Sequence, residues 1–373
     1  LDNPNLWMTA DGVFNDTLGY WVASDAKEIA SHTLLTGYSS WSSLGYPATW
    51  SAPKGIRLIR TTANPDGEKL LVVSASGAVA LNITKTTVGN VRKLAFSQDS
   101  PLEWTTSAYG SSRAFSDVTV TKSAAGAITD IWGFSYTLPG GATPQLGQQL
   151  FNSALLHPLV AAPTPVITLT KPLEVRGFNF TNGNTFITVV DDQGVLGSDL
   201  DSFQWTAGAP VLADRALLFT VATPQAVDSW QDGTTGEIKI LAGNALHTFS
   251  LNNTSGVLTH NLPILGLSGF VSYSTSFPVG LAWMKNAVGV APAIQGHAVT
   301  GSDNAGTNSE LAYLIEGGQA RFTVKGENSA NKGGLSLPFG VAIFGQSADP
   351  LVPEDVSFIV ADQSGLSVFQ KLY

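Results

Sequence analysis

The chain has 373 residues, 43% of them hydrophobic and only 13% charged, with a formal net charge of −9 and no cysteine. That length suits two ordinary domains, because a single hydrophobic core rarely grows past ~250 residues. The composition argues against disorder, the missing cysteines remove disulfides, thiolate metal sites and cysteine nucleophiles, and 19 Lys and Arg without a basic run argue against phosphate-backbone binding.

Residues 1–24 mix Asn, Asp, Pro and Gly with isolated aromatics, and read as an ordered arm anchored by Trp7, Phe14 and Tyr20. A start at Leu1 rather than Met suggests release from a precursor or a trimmed terminus. A short helix is expected over 25–31, where Asp25 caps and Glu28 completes a capping box. The stretch TLLTGYSSWSSLGYPATW, 33–50, carries Tyr38, Trp41, Tyr46 and Trp50, a candidate sugar-stacking platform set against the commoner role of such residues as core aromatics.

Strands are expected over 56–61, 69–73, 79–83, 91–96, 116–121 and 130–137. PQLGQQLFNSALL, 144–156, reads as a helical insertion with Leu146, Leu150, Ala154 and Leu155 on one face, ended by His157-Pro158. Closing strands of a first unit follow over 166–170, 175–180 and 186–190, with a boundary placed in the Gly, Asp and Ser cluster near 197–210. The second unit opens with a strand over 215–222 and a short helix over 224–230, for which Thr223 is the cap and Pro224 the first helical residue.

From 262 to 290 Lys285 is the only charge. Pro263, Ser272, Ser274, Ser276 and Pro278 interrupt this apolar text as surface residues do, which makes Phe270, Tyr273, Phe277, Trp283 and Met284 candidates for a subunit interface. A polar loop over 301–309 and a hairpin over 312–325 precede the last strands, 341–344, 357–361 and 366–372.

Across this order runs an internal echo. GEKLLVVSASGAVALN, 67–82, returns about 170 positions later as GEIKILAGNALHTFSLN, 236–252. LTKPLEVRGF at 169 is answered by LSLPFGVAIF at 335, and FITVVDDQG at 186 by FIVADQSG at 358. Collinear matches of this kind point to tandem duplication. The expected fold is therefore all-β: two tandem β-sandwich or jelly-roll-like units related by internal duplication, with an arm over 1–24, a first unit over 25–205 and a second over 206–373. The alternative is a β-propeller, which calls for a period of ~40–50 residues that the sequence does not display.

Chemistry is sparse in this text. The five histidines, His32, His157, His247, His260 and His297, sit at no metal-ligand spacing, and GLSGF at 266–270 lacks the last glycine of a nucleophile elbow. Asp191, Asp192, Asp199 and Asp201 are the densest acidic cluster, a weak calcium candidate that lacks the EF-hand pattern. No metal or other cofactor is implied, and no apolar run reaches the ~18 residues of a spanning helix. The expected function is that of a non-enzymatic, self-assembling virion protein, as capsid, spike or tail component, partnered by its own copies and other virion proteins and located in a virion or outside the cell. The alternative is an extracellular carbohydrate-binding or adhesive β protein that meets a surface glycan. A glycosidase would need paired carboxylates whose separation a sequence does not give.

Overall fold

In a computed structural model, the described residues are 13–16, 19–22, 32–46, 53–60, 66–67, 69–74, 77–89, 91–98, 104–105, 114–122, 128–137, 145–152, 157–158, 164–192, 197–205, 210–219, 224–231, 233–242, 245–266, 277–285, 295–302, 308–315, 319–327, 335, 337–345 and 355–372. Among them the protein is all-β and antiparallel throughout, as expected.

The chain begins with β1 (Val13–Asp16), β2 (Gly19–Val22) and β3 (His32–Ser40), which join the last sheet. Sheet I then runs in chain order through β4 (Pro53–Ile59), β5 (Lys69–Ser74), β6 (Gly77–Val88) and β7 (Val91–Gln98), with β8 (Trp104–Thr105) on β6. Sheet II holds β9 (Ala114–Lys122), β10 (Ile128–Thr137), β11 (Gln145–Asn152) and β12 (His157–Pro158), with β13 (Thr164–Thr168) on β11. Sheet III is β14 (Pro172–Asn179), β15 (Thr185–Asp192), β16 (Ser198–Gln204) and β17 (Val211–Phe219). Sheet IV is β18 (Pro224–Gln231), β19 (Gly236–Ala242), β20 (Ala245–Leu251) and β21 (Leu258–Gly266). Sheet V is β22 (Phe277–Lys285), β23 (Gln295–Ser302), β24 (Asn308–Ile315) and β25 (Gln319–Glu327). Sheet VI is β26 (Gly340–Phe344), β27 (Ser357–Ala361) and β28 (Gly365–Leu372), continued by β3, β2 and β1 from the other end of the chain.

The first strands of the six sheets touch in succession: β4 meets β9, β9 meets β14, β14 meets β18, β18 meets β22, β22 meets β26, and β26 returns to β4. Among the described residues, sheets I and VI, III and IV, IV and V, and V and VI share cores, as packed sandwich layers do. Leu70, Val72 and Leu81 of sheet I share a core with Ile359, Leu366 and Val368 of sheet VI. Phe178, Phe186 and Leu200 of sheet III share another with Ile238, Ile240 and Phe249 of sheet IV. The second strands β5 and β27, buried on both faces, carry near-continuous apolar text, KLLVVS and SFIVA.

The echo falls on equivalent strands. Its first pair occupies the second and third strands of sheets I and IV, where registers ending at Ser74↔Gly77 and Ala242↔Ala245 leave two residues for each turn. Its other pairs occupy the first and second strands of sheets III and VI. Second strands begin at residues 69, 128, 185, 236, 295 and 357, so the sheets recur at intervals of 51 to 62 residues and the echo spans three of them. The division expected at 205/206 falls between β16 and β17, which pair along Leu200↔Ala216 and Asp201↔Arg215.

Two expected helices are strands instead. The segment 144–156 contains β11, hydrogen-bonded to β10 on one side and β13 on the other. Its Leu146, Leu150 spacing fits a helical face, yet Leu146, Gln148 and Leu150 also alternate, and pairing on both sides decides between the two periods. The segment 224–230 is β18, with Pro224 at its first position, where a strand tolerates the missing N–H. The helix expected over 25–31 lies outside the described residues.

Candidate functional site: the chamber between the inner strands

The first strands place charged side chains in the space they surround. On β14 Glu174 and Arg176 are two apart and share a face, while Val175 between them enters the sheet III core. Arg57 of β4 sits in KGIRLI, and Asp117 of β9 is 1% exposed. The Arg57 Nη2 group donates to Asp117 Oδ2 at 2.9 Å and to Glu174 Oε2 at 2.8 Å. Arg176 donates to the same two carboxylates, at 2.9 Å through Nη1 and 2.6 Å through Nη2. Asp117 also accepts the Val175 N–H at 2.8 Å, and Arg176 reaches the Val227 carbonyl on β18.

Two cations and two anions from three strands, β4, β9 and β14, are thus locked together, with the Val227 carbonyl of β18 as a further acceptor. Burial disfavours the charge on Arg57, but the carboxylates of Asp117 and Glu174 more than reverse this and hold its pKa above the usual value. Desolvation pushes the Glu174 carboxyl up, against the two guanidinium groups that favour its ionised form.

The quartet separates two cavities. One, of about 370 Å³, is lined by residues at the start of the inner strands, among them Lys54, Asp117, Glu174 and Gln225. The other, of about 180 Å³, lies further along them and is lined by Arg57, Arg60, Arg176, Asp228, Trp230 and Trp283, with apolar backing from Ile56, Leu281 and Val341. In this second chamber Asp228 accepts the N–H groups of Ser229 at 2.9 Å and of Trp283, on β22, at 2.7 Å. Arg60 Nη2 donates to the Ile343 carbonyl on β26 at 2.6 Å.

Behind the chamber, Trp230 and Trp283 stand 6.5 Å apart between sheets IV and V. Lys285 lies over the Trp230 ring at 4.6 Å and pairs with Glu237 at 2.8 Å. Lys239 lies over the Trp283 ring at 4.6 Å with its Nζ 2.8 Å from His297 Nε2. Burial, with the Lys239 charge beside it, holds the His297 pKa well below the usual imidazole value.

The residues singled out from sequence go elsewhere. Tyr38 is exposed and donates to the Ser364 carbonyl at 3.0 Å. Trp41 stacks on Phe339 at 6.2 Å and donates from Nε1 to the Asp362 carbonyl at 2.9 Å. Tyr46 is buried against Trp41, and burial pushes its pKa up to about 12, opposed by a hydrogen bond with Ser74. Trp41 and Tyr46 pack in the seam between sheets I and VI with their ring planes 52° apart, while Tyr38 is exposed; Trp50 lies outside the described residues.

The Asp cluster is engaged by its own surroundings. Asp191 accepts the N–H groups of Thr170 and Lys171 at 2.8 and 2.6 Å, and Asp192 pairs with the Lys171 ammonium at 2.8 Å. Asp201 takes Arg215 through both oxygens at 2.7 and 2.8 Å, with Asp199 at 3.5 Å from the same guanidinium. No group of three or more metal-ligating side chains occurs among the described residues.

Of the expected interface residues, Trp283 and Met284 are core residues of this chain, 3% and 1% exposed. β22 is an inner strand that meets β18 and β26, and its one charge, Lys285, pairs with Glu237 of the same chain. Phe277 is in β22 but its side chain, like Phe270 and Tyr273, lies outside the described residues. Sequence reading passed over Arg57, Asp117, Glu174, Arg176 and Asp228. Their signal was there in a chain with only 19 Lys and Arg: ionised residues set singly inside apolar strand text, as in KGIRLIR and PLEVRGF.

No protein-family model matches the chain, and no curated protein sequence does. Among solved structures it is similar to one described as Hadza microbial sialidase Hz136, with a TM-score of 0.47 and 11% sequence identity. The match covers 86% of this chain and 65% of that one, so the chain spans just under two thirds of that sialidase's length.

Proposed function

We propose that this is a non-catalytic binding protein of the extracellular carbohydrate-binding or adhesive kind, in which six sheets stand as propeller blades around an axis and the chamber between their first strands takes one small polar ligand. The closed succession of inner-strand contacts supports the radial arrangement. The sheets recur at intervals of 51 to 62 residues, longer than the period of ~40–50 residues by which the sequence is read for the alternative of a propeller.

The observation that carries the binding reading is the way the carboxylates around the two cavities are engaged. Asp117 and Glu174 each accept from two guanidinium groups, and Asp228 accepts from two backbone N–H groups. A carboxylate so held is a poor general base, whereas tryptophan, guanidinium and carboxylate groups around one cavity suit a molecule with apolar faces and many hydroxyls. Two of the five residues expected at a subunit interface, Trp283 and Met284, are packed inside the chain, which takes that support from a self-assembling role.

Ligand-observed NMR with a panel of monosaccharides tests this. Saturable binding is expected, unchanged by Tyr38→Ala and weakened by Trp230→Phe. Absence of binding across the panel, or loss on Tyr38→Ala alone, would overturn the chamber as the site.

A further inference from the structure

We propose that Arg60 is an oxyanion anchor: its guanidinium, at the wall of the second chamber, takes a carboxylate, phosphate or sulfate group of the ligand. This rests on the chamber being the binding site and adds the chemical class of what it holds.

Arg60 follows the last residue of β4 and lines the chamber together with Ser229, Gln231, Trp230 and Trp283. Arg57, Arg176 and Arg215 each reach a carboxylate within 3.5 Å. Arg60 differs from them. Among the described residues its sole hydrogen bond is from Nη2 to the Ile343 carbonyl, it has no carboxylate within ion-pair distance, and its Nε is buried without a partner. Asp228 and Asp66 favour its charge only from a distance, and burial, which outweighs them, pulls its pKa below the usual arginine value.

A guanidinium remains charged under any ordinary condition, so a half-buried one with a single protein hydrogen bond and no direct ion pair is further stabilised by a bound anion. Its remaining N–H groups form a planar fork suited to two oxygens of one oxyanion. Pairing in the chamber agrees. By formal charge Arg57, Arg60 and Arg176 are matched by Asp117, Glu174 and Asp228, but Asp228 accepts from the Ser229 and Trp283 N–H groups and makes no ion pair with Arg60, so Arg60 is the cation with hydrogen-bonding capacity left. Ser229 offers a neighbouring hydroxyl for the rest of the ligand, while Gln231 is held by the Asn179 backbone through both of its amide atoms.

The test is the thermal stability of the purified chain against increasing sodium acetate, inorganic phosphate or sulfate, each compared with chloride at matched ionic strength. A saturable rise in melting temperature with at least one oxyanion is expected, with apparent affinity weakened about tenfold or more in Arg60→Gln, as loss of a charged hydrogen bond implies. Arg215→Gln, at an exposed site, should leave the response intact. Which of the three acts best distinguishes a carboxylate-bearing ligand from a phosphorylated or sulfated one. If Arg60→Gln does not fold, saturable perturbation of the Trp230 and Trp283 indole signals of the unmutated protein by the same anions provides the readout. A response no greater than that to chloride, or one that survives in Arg60→Gln, would overturn the proposal. Binding of neutral monosaccharides without any oxyanion response would overturn it while leaving the chamber as the site.

Discussion

Arg57 and Glu174 are 117 positions apart in the chain, yet Nη2 of the first lies 2.8 Å from Oε2 of the second, and Arg176 and Asp117 complete the group. Removing one member leaves the others buried with an uncompensated charge. Arg57→Met is therefore expected to cost about 3–5 kcal/mol, read from urea unfolding. The double variant Arg57→Met/Glu174→Leu leaves the Arg176–Asp117 pair balanced and should cost less than the sum of its parts. Strict additivity would show that the quartet does not act as a unit.

Closure of sheet VI makes a second prediction. β28 pairs with β3 starting at Gly365↔Ser40, and a Cβ on Gly365 would fall 2.1 Å from the Ser39 carbonyl oxygen, a backbone atom with little freedom to retreat. Gly365→Ala should lower stability by about 1–3 kcal/mol or more and make the first strands more open to proteolysis. A melting temperature equal to that of the unmutated chain would mean that β3 is not held there.

Acid sensitivity should report on His247. Its Nδ1 lies 3.4 Å from His260 Nε2, and burial, with His260 beside it, pulls its pKa down to about 4. In the unfolded chain the group titrates near ~6.5. Between these values the unfolded state binds the extra proton and the folded state does not, so stability falls as pH drops from ~6.5 toward 4. His247→Gln should flatten melting temperature over that window; an unchanged pH slope would assign the effect to other groups.

Phe358 tests the core between sheets V and VI. It is fully buried with its ring centroid 5.3 Å from that of Tyr313. Phe358→Ala is expected to cost about 3–5 kcal/mol through lost burial and the cavity left behind, measured by chemical denaturation.

Strand text was legible because it is local: KLLVVS and SFIVA are apolar throughout, Gly243 and Asn244 are the residue types a two-residue turn takes, and the matched segments at 67–82 and 236–252 do occupy equivalent strands. Three things were not. At β11 the sequence fits both periods, at β18 a cap residue and a proline suit either element, and hydrogen bonds to β10, β13 and β19 settle the matter from outside the segment. The partner of β3 is β28, more than 300 residues away, and no local pattern encodes a pairing at that distance. Arg57, Asp117, Glu174 and Arg176 are unremarkable singly, while Trp41, Tyr46 and Trp283 look like surface binders until the sheets pack over them. Residue type and alternation fix which stretches are strands, because those depend on nearest neighbours in the chain. Only the closing of first strand on first strand decides which charges are forced to share a low-dielectric space, and that depends on neighbours the chain brings together from afar.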